Sequence, residues 1–133
     1  MNFKVYDIQV PPKPRQTRSD KWKKRPCVER YRSFCDRLRL LGPTVPDCGG
    51  HALFIIKMPL SWSKKKKELM RHKPHTVRPD LDNMAKSLFD ALHKEDSHIW
   101  DGRFSKVWGD EGKLIIITGI ETGWIETFLD EVL

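Results

Sequence analysis

Residues 78–92 read Arg78-Pro79-Asp80-Leu81-Asp82-Asn83-Met84-Ala85-Lys86-Ser87-Leu88-Phe89-Asp90-Ala91-Leu92. Pro79 pushes the residue before it towards extended geometry, so Arg78 leads in as an extended segment. An apolar stripe then starts at Leu81 or Met84 and continues through Ala85, Leu88 and Leu92, with Phe89 beside it. That spacing predicts an amphipathic helix over residues 82–93.

Downstream, residues 103–108 (RFSKVW) and 113–120 (KLIIITGI) read as strands around an Asp110-Glu111-Gly112 turn, which suggests a hairpin. Upstream, residues 52–58 (ALFIIKM) form a short apolar run closed by Pro59, a buried strand rather than a helix. Ser63 is placed to cap a short helix from Lys64 to about Arg71, with Pro74 after it. Residues 27–41 carry Tyr31, Phe34, Cys35, Leu38 and Leu41 at helical spacing, and Gly42-Pro43 stops that helix. Residues 2–10 (NFKVYDIQV) alternate as a half-buried strand does, until Pro11-Pro12 ends it. Thr122 is placed to cap a last helix within residues 121–133. It carries Trp124, Ile125, Phe128, Leu129 and Val132, is acidic, and needs a surface to dock on, either this core or a partner subunit. These elements predict an α+β fold, a small mixed β-sheet packed with two main helices, in one domain over residues 1–133.

The chain has 133 residues, 38% hydrophobic and 32% charged, enough to bury a core. No apolar run approaches the roughly 20 residues of a membrane span, and the N-terminal residues lack a signal-peptide stretch. Cys27, Cys35 and Cys48 form no CxxC pair, which argues against a disulfide framework or zinc ribbon and fits a reducing cytoplasm. The net charge of +7 is unevenly spread. Residues 1–79 hold 20 Lys/Arg against 6 Asp/Glu, net +14, and residues 80–133 hold 5 against 12, net −7. The basic half suggests phosphate contacts; the acidic half is the place for a catalytic pocket.

Within residues 13–26, Lys13, Arg15, Arg18, Lys21, Lys23, Lys24 and Arg25 surround Trp22. A basic loop with one aromatic suits phosphate contact and base stacking, although a solvated segment has the same composition. Lys64, Lys65, Lys66 and Lys67 form either a phosphate-binding patch or a solvated helix face, and Lys73 and Arg78 add to the candidate DNA contacts.

Asp80 and Asp82, with Lys86 one turn later and Asp96 beyond, form the candidate site. Taken singly, each of the first two aspartates is more readily read as a helix cap or turn residue. Lys86 lies on the Asp82 face of the helix, as does Asp90 one turn further, and a surface ion-pair ladder has the same spacing. A calcium loop opening at Asp80 fails, because its sixth position is Ala85 and its twelfth is Ala91. Carboxylates without neighbouring His or Cys favour Mg2+ or Mn2+ over zinc. Phosphodiester hydrolysis needs such a set, because held cations can activate water and stabilise the leaving oxygen.

The segments Ser61-Trp62-Ser63-Lys64-Lys65-Lys66-Lys67, Lys73-Pro74-His75-Thr76, Pro79-Asp80-Leu81-Asp82-Asn83 and Lys86…Phe89-Asp90-Ala91-Leu92 together resemble the RusA family of Holliday junction resolvases, most closely its phage-borne members. Pro12-Lys13-Pro14-Arg15-Gln16-Thr17-Arg18 is similar to the family's basic opening, and the likeness extends to about residue 120. It implies an obligate homodimer that makes paired, magnesium-dependent nicks in four-way DNA junctions, in a bacterial cytoplasm. It also implies that Asp80, Asp82 and a third aspartate hold metal and that Lys86 is essential. The third position falls on Asp96 in Glu95-Asp96-Ser97-His98-Ile99, where the first acidic position is Glu95 here rather than the family's Asp; counting without a gap gives Asp101. Two alternatives stand beside this reading: a non-catalytic DNA-binding or architectural protein, and a nuclease for flaps or forks.

Overall fold

The apolar run at 52–58 lies in β2 (Gly50–Lys57), an inner strand of a four-stranded sheet. The computed structural model describes the whole chain except residues 16, 23, 24 and 93–96 and the side chain of Lys21. Along β2, Ala52, Phe54 and Ile56 are buried while His51, Leu53 and Ile55 are half-buried, the two-residue period of a strand. The strand order is β1 (Asn2–Tyr6), β4 (Lys113–Thr118), β2 and β3 (Gly102–Gly109). β2 runs parallel to β3 and antiparallel to β4, and β4 runs antiparallel to β1, so the sheet is mixed.

Two helices cover one face. α1 (Pro26–Leu41) buries Val28, Tyr31, Phe34, Cys35 and Leu38, and α3 (Leu81–Leu92) buries Met84, Ala85, Leu88 and Ala91. Most of these side chains meet Phe54, Ile56, Leu114, Ile116 and Trp108 in one core. Leu41, expected on the buried stripe of α1, is exposed at its end, where Gly42 takes φ 68° and its N–H bonds back to Leu38 O at 3.0 Å. Glycine adopts that left-handed conformation without a Cβ penalty, which is why the helix stops there.

The expected hairpin between residues 103–108 and 113–120 is not formed. β3 and β4 lie on opposite sides of β2, and the short connection after Gly109 carries the chain across the end of that strand. Glycine permits the close passage: a Cβ on Gly109 would lie 2.3 Å from Ile55 Cγ2, and one on Gly112 2.3 Å from Gln9 Cβ. Turn residues between two apolar runs signal a reversal; they do not say whether a third strand lies between.

The β2-to-β3 connection passes through α2 (Lys64–Met70) and α3. Ser63 caps α2 as expected, its Oγ accepting Lys66 N–H at 3.1 Å. The next residues line the outer edge of β3. His72 N–H donates to Trp108 O at 2.8 Å, Trp108 N–H to Lys73 O at 3.0 Å, and His75 N–H to Lys106 O at 3.1 Å. The α4 helix (Trp124–Val132) has Gly123 rather than Thr122 at its N-cap and buries none of its residues. No helix among the described residues is long and apolar enough to cross a membrane.

Candidate active site

The start of α3 carries the candidate chemistry. Asp80 occupies the residue before the helix, and its carbonyl accepts Met84 N–H at 3.2 Å. Its carboxylate is not used as a cap. Among the described residues neither the Asp80 nor the Asp82 side chain accepts a backbone N–H, whereas Ser63 does so for α2. Asp82 Oδ2 lies 3.9 Å from Lys86 Nζ, with side chains 76% and 66% exposed. A pair so exposed contributes only tenths of a kcal/mol, so it leaves both groups available to a ligand.

Two adjoining open hollows flank this helix start. One is lined by Pro12, Arg78, Pro79, Asp80 and Asn83, the other by Lys13, Pro14, Arg15, Asn83 and Lys86. The basic segment is held against α3 by two contacts of Lys13: Asn83 Nδ2 donates to Lys13 O at 3.2 Å, and Lys13 Nζ pairs with Asp90. Asp90 also accepts Tyr31 Oη of α1 at 3.3 Å. Burial, together with the neighbouring Cys35, raises the Tyr31 phenol above its ordinary range, so it remains a donor. Exposed Asp80 and Arg78 thus line one hollow and exposed Lys13, Arg15 and Lys86 the adjoining one, with Asp82 beside them only through its pair with Lys86.

The remaining expected contacts divide. Lys64, Lys65, Lys66 and Lys73 are exposed, Lys67 is half-buried, and Lys66 Nζ sits 4.4 Å from the centre of the Trp62 ring. Arg18 is exposed in a single 3-10 turn, Arg18–Lys21, within what the sequence presents as a loop. Arg25 is occupied internally. Its Nε donates to Asp20 Oδ1 at 2.7 Å, and its Nη2 donates to Asp20 Oδ2 at 2.8 Å and to Arg15 O at 2.7 Å. The Arg25 guanidinium, joined by the Thr17 N–H, holds the Asp20 carboxyl down at about 2. Lys23, Lys24 and Asp96 fall outside the described residues, as does the Lys21 side chain. Asp101 is engaged in the fold: its Oδ2 accepts Gly49 N–H at 2.8 Å and ties the 47–49 loop to the start of β3.

Two contributors escape sequence reading. Lys106, within a segment that reads only as strand, sends Nζ to Val77 O at 2.6 Å and Pro79 O at 2.7 Å. His75 is buried, with its ring centre 4.2 Å from that of Trp108, and burial followed by the Lys106 charge lowers its pKa, favouring a neutral ring. Its position four residues before Pro79 gives no sign of that burial.

No group of three or more His, Cys, Asp or Glu able to hold a metal occurs among the described residues. The donors present at the helix start are hard carboxylate oxygens that no backbone group occupies, and these fit Mg2+ or Mn2+ better than zinc. Exposed carboxylates beside lysine and arginine side chains, carried by an α+β fold with a mixed sheet, suit a protein that acts on phosphodiesters. A family model for endodeoxyribonuclease RusA matches residues 50–118, from the start of β2 to the end of β4. The chain belongs to the RusA endodeoxyribonuclease family. No curated protein matches the chain.

Proposed function

We propose that residues 1–133 act as one domain of a divalent-metal-dependent resolvase. In this reading it cuts four-way Holliday junctions by paired, symmetric phosphodiester hydrolysis during DNA recombination and repair. The observation that carries the reading is the start of α3, where Asp80, unused as a cap, shares a hollow with Arg78, and Asp82, also unused as a cap, faces Lys86 at the edge of the hollow lined by Lys13 and Arg15. A capping or purely DNA-binding role gives no reason for two exposed carboxylates on a surface that attracts phosphate. Family membership supports deoxyribonuclease chemistry.

Asp80, Asp82 and Asp96 are assigned to hold Mg2+, with Mn2+ as a substitute. Such a cation supplies water activation and charge stabilisation at the phosphate. Lys86, next to Asp82, is assigned to neutralise charge developing on a non-bridging phosphate oxygen. Lys13, Arg15 and Arg78 hold the cleaved strand against the site; Lys64, Lys65, Lys66, Lys67 and Lys73 follow a DNA arm. By sequence, Lys21, Lys23 and Lys24 are further candidates for phosphate contact. Asp101 keeps its loop-tying role, which favours Asp96 as the third carboxylate.

A two-fold substrate cut at two matching positions suits a two-fold homodimer. The sheet supports this. Its face away from α1 and α3 presents Phe3, Val5, Leu53, Ile55, Ile115 and Ile117 in register, and Phe3 is 69% exposed. The setting is a bacterial cytoplasm, for a phage- or prophage-borne member, where the free thiols of Cys27, Cys35 and Cys48 stay reduced.

The test compares a mobile four-way junction, a fixed junction, a flap and a fork, each with Mg2+ and with chelator. Paired nicks in the junctions that vanish with chelator support the reading. Preferential cutting of flaps or forks, or binding without any cutting, sinks it.

A further inference from the structure

We propose that Lys106 is a positioning residue for Asp80, acting through the peptide that joins Pro79 to it; this rests on Asp80 being part of the site. A strand lysine ordinarily extends into water and keeps its rotamer freedom. Here the ammonium ends on two main-chain carbonyls, Val77 O at 2.6 Å and Pro79 O at 2.7 Å. The Pro79 carbonyl and the Asp80 N–H belong to one rigid plane, so anchoring that oxygen orients the bond leading into the Asp80 Cα. The following peptide is anchored independently, because Asp80 O accepts Met84 N–H at 3.2 Å. Both planes that flank Asp80 are therefore fixed, leaving only side-chain rotation to aim the carboxylate.

Little else can do this upstream. Proline has no N–H to donate, and α3 begins only at Leu81. Lys106 is itself set by the edge ladder: its carbonyl accepts His75 N–H at 3.1 Å, and the flanking Trp108 exchanges bonds with His72 and Lys73. The buried His75 ring packed on Trp108 keeps this edge in place. Residues 72–80 are thus tied to β3 first by backbone and then by the Lys106 side chain, and the last tie ends one residue short of the carboxylate.

Three proteins distinguish positioning from plain stability: the unaltered chain, Lys106→Met, which keeps the stem without the donors, and Lys106→Arg, which restores charge and donors. Amide hydrogen exchange in chelator reads the ties without catalysis. In Lys106→Met the expected result is faster exchange confined to residues 80–85, with α1 and β4 as protected as before. With metal, junction binding should hold within about twofold while kcat falls about ten- to a hundredfold, the scale of a misplaced reacting group. The metal concentration for half-maximal cleavage should rise, and Lys106→Arg should recover most of each effect. Unchanged exchange and kcat in Lys106→Met overturn the proposal. So does loss of protection throughout the chain that Lys106→Arg fails to repair, which assigns Lys106 to stability alone. If the unaltered chain cuts no branched DNA, the proposed function falls, and the exchange comparison still decides whether Lys106 fixes Asp80.

Discussion

Asp80 shows how far a residue can be read from its neighbours. An aspartate before a helix is most often a cap, and only the geometry shows its carboxylate left unused while Ser63 caps α2. Converting Asp80 or Asp82 to Asn should therefore change stability by less than about 0.5 kcal/mol, as for an exposed side chain that is not a cap or, for Asp82, is held only by a surface ion pair, measured by thermal unfolding. Cleavage should fall at least about a hundredfold, the scale of removing one preorganised electrostatic group. Asp101→Ala should do the reverse. Losing the acceptor for Gly49 N–H costs about 1 kcal/mol or more in unfolding assays, and cleavage by the folded fraction persists. Arg25 belongs with these cases. Its charge counts it among DNA contacts in the sequence, but Asp20 claims it, and local composition does not say which of seven neighbouring cations pairs inward.

The elements themselves were largely legible. The stripe through Met84, Ala85 and Leu88, the alternation in β2, and the stop at Gly42 are local patterns, and each lies where its period predicts. What local pattern cannot carry is which strand neighbours which. β3 and β4 look like a hairpin until β2 is placed between them, through contacts between residues 52 positions apart for β3 and 58 to 66 apart for β4. The basic segment likewise gains structure from one long-range partner and one short hook. That hook has a pH signature. The Asp20 carboxyl, lowered to about 2 by Arg25, binds its proton less readily folded than unfolded. Its stabilisation is complete above the ordinary carboxylate range and is lost as pH falls through that range towards about 2. Trp22, 79% exposed in this segment, should report loosening by fluorescence or proteolysis at acid pH, and Asp20→Asn should show the loosened form already at neutral pH.

At the scale of the whole molecule, charge asymmetry was the most useful sequence observation, because it set Asp80 and Asp82 apart at the boundary between a basic and an acidic half. The fold brings basic and acidic residues together by laying Lys13 along α3, its carbonyl on Asn83 in the first turn and its ammonium on Asp90 in the last. The proposed dimer rests in the sequence on the family resemblance, and the exposed apolar residues of one sheet face that support it become visible only once the strands are in register. Phe3→Asp, on the edge strand and away from the core, should shift the chain from dimer to monomer in sedimentation without unfolding it. Paired nicking should then become single nicking. The role of Asp80 is decided on one four-way junction with Mg2+, using the unaltered chain and Asp80→Asn. Paired incisions by the unaltered chain, and full junction binding with no cutting by Asp80→Asn, are expected; cutting by Asp80→Asn at the unaltered rate would show that the carboxylate takes no part in hydrolysis.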